Sequence, residues 1–375
     1  MVTGYHRPTK LIIDRQAIID NVAGEVAKMP TDKELFAVVK ANGYGHGAVE
    51  TAKSALKGGA AGFCVALLDE GIELREAGIT EPILILGVVE PIYIELLLKY
   101  NLSVTAATTA WLLEACKCLK RLTGSQKLKI HIKIDTGMGR LGFTSLKEVL
   151  DAVQLIENNE QIEWEGIFTH FSTADEIDTL YFEQQLKMFQ DIISELPRQP
   201  RYIHSENSAA ALWHPKSTGN MIRFGIAMYG LNPSGRSLIE SYPLKSALTL
   251  ETVLIQVKEL QPGAGIGYGN TYTVAEKEWI GTIPIGYADG WLRKMQGFHV
   301  LVNGKKCEIV GRVCMDQCMI RLPEAVPEGT KVTLVGENQG AEITLQMVAE
   351  YLETIHYEVA CTFSQRIPRE YIGGL

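Results

Sequence analysis

Lys40 directly follows the apolar run Phe36-Ala37-Val38-Val39 and opens the stretch Ala41-Asn42-Gly43-Tyr44-Gly45-His46-Gly47. At the end of a buried strand, desolvation disfavours an ammonium, the condition under which a lysine forms a Schiff base or moves a proton. The plainer reading is a strand-end lysine whose stem covers apolar surface while its head stays in water. The glycines that follow permit a tight turn and close approach to a ligand. Further polar residues close other apolar runs: Arg140 in Gly137-Met138-Gly139-Arg140, and His170 after Ile167-Phe168-Thr169, where a satisfied core histidine is the ordinary alternative. Asn207-Ser208-Ala209-Ala210 reads as a helix start, so Ser208 with free amides either holds an anion or belongs to an ordinary cap. Arg223, Gly225 and Ile226 add donors in Arg223-Phe224-Gly225-Ile226. Tyr268 stands between Gly267 and Gly269, where a tyrosine normally packs, and Cys314-Met315-Asp316-Gln317 reads as a strand-end turn.

Elements must bring these residues together. Short apolar runs alternate with segments of helical period up to about Leu231, which predicts a parallel α/β unit. Eight runs are expected, at Leu35 to Lys40, Gly62 to Ala66, Ile83 to Val88, Leu102 to Ala106, Leu128 to Asp135, Ile162 to His170, Tyr202 to Asn207 and Ile222 to Gly230. Eight is the number that closes a (β/α)8 TIM-type barrel, whose active site lies at the C-terminal ends of its strands and whose last two loops commonly hold phosphate. A doubly wound sheet is the alternative. Helices are expected over Ala17 to Met29, Val49 to Leu56, Ile72 to Ala77, Trp111 to Leu122, Leu146 to Ile156 and Phe182 to Leu196. Beyond Pro243 the runs Leu248 to Val257, Trp279 to Ile285, Val300 to Val302, Cys307 to Val313 and Lys331 to Val335 alternate instead, predicting a mostly antiparallel β domain with one helix at Leu345 to Leu352. Asn303-Gly304 signals a two-residue hairpin. The expected division is 1–240 for the barrel and 241–375 for the β domain.

Composition narrows the partners. The chain has 375 residues, 46% hydrophobic and 21% charged, which disfavours disorder and fibrous architectures. A net charge of −8 offers no footprint for nucleic acid or anionic lipid, leaving small molecules as expected partners. The N-terminal residues have no signal-peptide core and no run is long enough to span a membrane, so a cytoplasmic location is expected. Seven cysteines, an odd number, read as reduced thiols, and Cys116-x-Cys118 and Cys314-x-x-x-Cys318 lack the partners of a metal site.

Eight segments taken in order narrow the function. They are Val38 to Gly47, Lys133-Ile134-Asp135-Thr136-Gly137-Met138-Gly139-Arg140-Leu141-Gly142, Thr169-His170-Phe171, Asn207-Ser208, Arg223 to Gly230, Gly267-Tyr268-Gly269, Ile283 to Gly290 and Gly311 to Gln317. Together they resemble the bacterial alanine racemases across nearly the whole chain. The resemblance implies a homodimer that uses pyridoxal 5′-phosphate, interconverts L- and D-alanine by a two-base mechanism on the cofactor aldimine, and supplies D-alanine for peptidoglycan. It implies that Lys40 is the Schiff-base lysine. Tyr44, Ser208, Gly225 and Ile226 match phosphate-binding positions, and Arg140 and the Met315 backbone match positions that receive the substrate carboxylate. Tyr268 matches the second base, contributed by the partner subunit together with Met315 and Asp316. Lys133 matches a lysine often carbamylated in the family, and Arg223 matches an arginine that faces the pyridine nitrogen. His170 is grouped with the cofactor-binding residues. One departure stands out: Gln365 replaces the family's common tyrosine near the phosphate and the entrance, which bears on cofactor affinity and on strictness for alanine.

The chemistry suits the set. Inverting a stereocentre requires taking the Cα proton from one face and returning one to the other, which two opposed bases do better than one. A phenol is a poor base at neutral pH, so neighbouring donors must stabilise its anion, with His170 and Arg223 as candidates. Three other readings stay open: a racemase for another small amino acid such as serine, a barrel-type pyridoxal-phosphate decarboxylase of basic amino acids, and a non-catalytic cofactor carrier. Tyr44, Tyr268 and Tyr287 argue for a cramped site against the second, and the β domain argues against the third.

Overall fold

The structure is a computed structural model that describes residues 2–214 and 218–374. The chain divides into two compact units: one combines the first sixteen residues, Tyr44–Gly47 and Ser246–Leu375, and the other holds Ala17–Gly43 and Ala48–Lys245.

The second unit is an eight-stranded parallel sheet. Its strands are Glu34–Val38, Gly62–Val65, Ile83–Ile85, Ser103–Ala106, Leu128–Lys133, Ile162–Phe168, Tyr202–His204 and Met221–Phe224, called the first to eighth barrel strands below. The first seven strands pair side by side in sequence order, and the first also pairs in parallel with the eighth. The seam between the seventh and eighth is closed by Asn220 N donating to Ile203 O at 2.9 Å and Arg223 N to Glu206 O at 3.1 Å. The eight-stranded (β/α)8 expectation therefore holds. Because both faces are covered, the strands are apolar almost throughout, as in Ile83–Ile85, which is buried at every position.

The helices form where period and caps agree. Leu146–Glu157 buries Val149, Ala152, Val153 and Ile156 at spacings of three and four, and its start is a capping box between Ser145 and Glu148. Thr108 caps Thr109–Leu119 by accepting from Trp111 N at 3.2 Å. The short helix Ile94–Lys99, six residues behind Pro91, escapes periodicity analysis because it has fewer than two turns. The first, sixth and seventh strands stop before Lys40, His170 and Asn207, so these residues belong to the loops that follow, not to the strands as expected.

The other unit is built on a ten-stranded, mostly antiparallel sheet. Its surprise is the N-terminal strand Lys10–Asp14, which pairs antiparallel with Leu248–Val253 and parallel with Arg369–Ile372. The expected single run Leu248 to Val257 is instead two strands, Leu248–Val253 and Gln256–Leu260, with Leu254 N turned to Thr330 O and Ile255 N to Thr282 O. Strand Cys318–Leu322 also joins the sheet, and Leu345–Leu352 is followed by a second helix, His356–Thr362, that its short, mixed sequence does not announce. Asn303 and Gly304 have φ of 49° and 75°, the positive pair that a type I′ hairpin requires between His299–Val302 and Lys305–Val310.

Gly45 shows how tightly this unit closes on its inserted segment. Its φ is +83°, and a Cβ there would lie 2.2 Å from Ala360 O. Gly45→Ala is therefore expected to destabilise the protein by about 2 kcal/mol or more, read as a lower urea midpoint at unchanged slope.

Candidate active site

Four cations of the barrel unit act on one imidazole. His170 follows the sixth strand, and burial holds its pKa well below the usual 6.5, helped by Arg223, Lys133, Arg140 and Lys40. Lys40, Arg140 and Arg223, which the sequence places at strand ends, are joined here by Lys133 at the end of the fifth strand. Arg223 is 3% exposed. Its Nη1 donates to His204 Nδ1 at 2.7 Å, and its Nη2 to Thr169 O at 2.9 Å, Ser205 O at 3.1 Å and His170 Nδ1 at 3.3 Å. Burial lowers the Arg223 pKa to about 10, still far above neutrality. Since a guanidinium only donates, His170 must accept at Nδ1 and carry its proton on Nε2.

Lys40 opens a turn of unusual hand. Ala41, Asn42, Gly43 and Tyr44 all have φ between 50° and 60°, a left-handed turn that costs L-residues roughly 1–2 kcal/mol each. It persists because it is over-determined: Gly43 N bonds Val39 O at 2.8 Å, Asn42 Oδ1 accepts from Ala48 N at 2.9 Å, and Glu70 Oε1 accepts from Ala41 N at 2.6 Å. Backbone strain held this firmly is characteristic of functional sites. The half-buried Lys40 lies close enough to the barrel interior to act, with Arg223, on the thiol of Cys64 in the second strand, which burial nevertheless pushes up to about 12.

Lys133 ends the fifth strand at 5% exposure, donates to Ile134 O at 2.9 Å and lies 5.2 Å from the centre of the Phe168 ring. Burial lowers its pKa to about 7, with Arg223 adding to the effect. The sign for stability follows. Between about 7 and the ordinary 10.5 the unfolded chain holds a proton that the folded one does not, so this residue makes stability rise with pH across that window. The expected slope reaches about 1.4 kcal/mol per pH unit, and Lys133→Met should flatten it in urea unfolding measured from neutral to alkaline pH.

Arg140 sits on an exposed loop shaped by Asp135. Although burial opposes it, the Asp135 carboxylate is held below its usual range by the amides of Gly137, Gly139 and Arg140, each at 3.0 Å, and by Lys133. Ser208 is buried, and its hydroxyl accepts from Gly225 N at 2.8 Å and Ala227 N at 3.4 Å, tying the ends of the seventh and eighth strands to the turn Ile226–Tyr229. The ordinary capping role on Ser208–Trp213 is filled by Asn207, which accepts from Ala210 N at 3.0 Å.

The remaining expected residues lie in the β unit. Tyr44 is buried there with its ring 6.3 Å from that of Tyr357. Tyr268 does not pack: it is 65% exposed, on a short turn between Gly267 and Gly269, whose φ values are 71° and 75°. A methyl group on Gly269 would lie 3.0 Å from Arg312 Nη1. Met315 is also exposed, on a turn whose carbonyls at Cys314 and Met315 accept from Tyr287 N and Ala288 N, both at 3.0 Å. Arg366 holds the next residue, Asp316, at 2.7 Å, and Arg366 and Arg7 both pair with the buried Asp289. Gln365 stands in an exposed turn beside Arg366.

Three residues around Arg223 were missed from the sequence: His204, His131 and Glu165, all buried. Their signal was available, because a polar residue inside an otherwise apolar barrel strand contradicts the usual branched aliphatic filling.

Comparison with known proteins agrees with both units. Residues 13–233 match the family described as alanine racemase, N-terminal domain, and residues 247–371 match its C-terminal domain. The alanine racemase of Ligilactobacillus salivarius is 55% identical over 372 residues, covering 99% of this chain and 100% of the relative. The crystal structure of alanine racemase from E. faecalis superimposes with a TM-score of 0.97 at 64% identity, covering 99% of this chain and 100% of that one. A histidine racemase from Leuconostoc mesenteroides shares the fold at a TM-score of 0.93 and 31% identity, covering 99% of this chain and all of that one. Matched end to end by both domain descriptions and by relatives sharing more than half of its residues, the chain belongs to the alanine racemase family.

Proposed function

We propose that the protein interconverts L-alanine and D-alanine, using pyridoxal 5′-phosphate and two bases on opposite faces of the substrate. The observation that carries the reading is the convergence of Lys40, Lys133, Arg140 and Arg223 on the neutral His170. This set fits an anionic cofactor that needs an amine partner. Ser208 and the Gly225 and Ile226 amides would hold the phosphate, Lys40 the aldehyde carbon, and Arg223, beside His170, the ring nitrogen. When bound, the cofactor supplies a carbonyl that condenses with the substrate amine and a ring that spreads the electron pair left at Cα.

The chain's own groups do the rest. Lys40 Nζ takes or returns the proton on one face, and the partner subunit's Tyr268 does so on the other. Arg140 and the partner subunit's Met315 backbone orient the substrate carboxylate. Arg223, always protonated near neutrality, leaves no proton for the ring nitrogen and so limits side reactions of an over-stabilised carbanion. Lys133, largely the free amine above about pH 7, adds carbon dioxide through nitrogen with loss of a proton, and the resulting carbamate anion orients Arg140. Tyr268 and Met315 are exposed, which supports their serving a partner's site, and in this reading the site is complete only in a homodimer. We place the reaction in the cytoplasm, with D-alanine passing to peptidoglycan.

Gln365 favours a second reading, a broader amino-acid racemase, because an amide replaces a ring at the entrance. Proton NMR with L-alanine, L-serine and L-histidine in deuterated water, followed by chiral analysis, decides between them. Deuterated D-alanine as the dominant product supports the first reading, comparable turnover of all three supports the second, and no exchange from any of them rejects both.

A further inference from the structure

Side chains from five consecutive barrel strands form one buried chain. Ser103 stands in the fourth strand, His131 in the fifth, Glu165 in the sixth, His204 in the seventh and Arg223 in the eighth, all 4% exposed or less. Arg223 Nη1 reaches His204 Nδ1 at 2.7 Å, His204 Nε2 reaches His131 Nδ1 at 2.8 Å, and His131 Nε2 reaches Glu165 Oε2 at 3.0 Å. Ser103 Oγ donates to the same carboxylate oxygen, and Lys129 Nζ lies 3.9 Å from the other.

Only one proton arrangement satisfies every contact. Arg223 can only donate, so His204 accepts at Nδ1 and, being neutral, carries its proton on Nε2. His131 must then accept at Nδ1 and carry its proton on Nε2, which it gives to Glu165. A protonated His131, or a protonated Glu165 donating backwards, would leave His204 with two accepting nitrogens and no proton. The chain therefore runs one way, from the guanidinium through two neutral imidazoles to a carboxylate.

The barrel is shaped to admit it. The pairing of the fifth and sixth strands slips by one residue between Ile130 and His131, and Gly166 leaves room for the ring, since a Cβ there would lie 2.3 Å from His131 Nδ1. The His204 ring stacks on Phe168 at 4.6 Å and the His131 ring on Tyr202 at 5.8 Å, fixing both planes.

We propose that Glu165 and His131 are positioning residues for the racemization: Glu165 anchors a one-way hydrogen-bond chain that fixes His204 as an acceptor and thereby holds the Arg223 guanidinium in place. This rests on the reading above in which Arg223 faces the cofactor ring. Neither residue touches substrate or cofactor, and both act through His204. An apolar filling of the same volume would leave His204 free to turn its N–H toward Arg223, which would expel the guanidinium.

The test is nitrogen-15 NMR of the histidine-labelled protein, without substrate, which reads each ring's tautomer directly. His131 and His204 should each carry a single proton, on Nε2. A proton on His204 Nδ1, or a doubly protonated His131, overturns the proposal whether or not any variant folds. In Glu165→Leu the His204 resonances should shift although two bonds away, kcat should fall about tenfold with KM for alanine within about twofold, and the absorbance of the bound cofactor should move. Glu165→Gln, whose amide oxygen still accepts, should restore the tautomer and most of kcat. Unchanged His204 signals and kcat in Glu165→Leu would reject the role. The expected tautomers in a protein that leaves alanine unchanged would instead reject the functional reading and leave the chain's direction standing.

Discussion

Replacing Lys40 by Ala is expected to lower racemization of alanine by about 10⁴-fold in both directions, because one group would supply both the covalent link to the cofactor and the proton transfer on one face. Lys40→Arg should fail nearly as badly: it keeps the charge, but a guanidinium does not give up its proton and forms no Schiff base. The left-handed turn that starts at Lys40 is held by backbone and carboxylate bonds from Val39, Glu70 and Ala48, none of which uses the lysine side chain. Circular dichroism and urea unfolding should therefore be close to wild type for both variants, so lost activity is not lost fold. The check is a polarimetric assay from each enantiomer together with the absorbance of bound cofactor. Retention of more than about a tenth of the activity in Lys40→Arg would move the base to another residue.

Tyr268→Phe should produce a one-sided defect. Proton exchange on one face of alanine is expected to fall by about 10²- to 10⁴-fold while exchange on the Lys40 face stays within about tenfold. Deuterium wash-in from L-alanine and from D-alanine, measured separately in single-turnover amounts, distinguishes the faces. Equal loss on both would sink the two-base assignment. Tyr268 is 65% exposed and carried on a turn between two positive-φ glycines, so removing its hydroxyl disturbs no core. The same exposure sets a second expectation: mixing Lys40→Ala with Tyr268→Phe should recover activity, since each mixed dimer contains one site with both bases intact. No recovery after confirmed subunit exchange would place Tyr268 outside the shared site.

Much of the barrel is legible in the sequence. Each of its eight strands announces itself as a short apolar run, and the helices between them carry their apolar residues at three and four, because these are local consequences of side-chain period. Strand-end polar residues were equally readable: Lys40, Arg140 and Arg223 all act on the His170 imidazole, whereas Lys133 was marked only by the family resemblance. Even the hairpin at Asn303-Gly304 follows from two residues that tolerate positive φ.

Other features were decided elsewhere. Lys10–Asp14 was not read as a strand at all, and its partners are Leu248–Val253 and Arg369–Ile372, hundreds of residues away, so only long-range pairing could seat it in the β unit. The run from Leu248 looked continuous because period does not show where a strand changes neighbours, as this one does at Leu254-Ile255. The left-handed turn after Lys40 contradicts the preferences of Ala41 and Tyr44 and exists because distant groups outweigh them. Above all, His131, Glu165 and His204 look in sequence like misplaced polar residues on separate strands. What joins them is the closing of the barrel, which buries the two imidazoles so that each bonds the next group along the chain. The sequence by itself thus determined the element types, the strand-end chemistry and the family likeness, all carried by residues near one another in the chain. The tertiary structure alone decided which buried group gives its proton to which, because that depends on who is adjacent once solvent is gone.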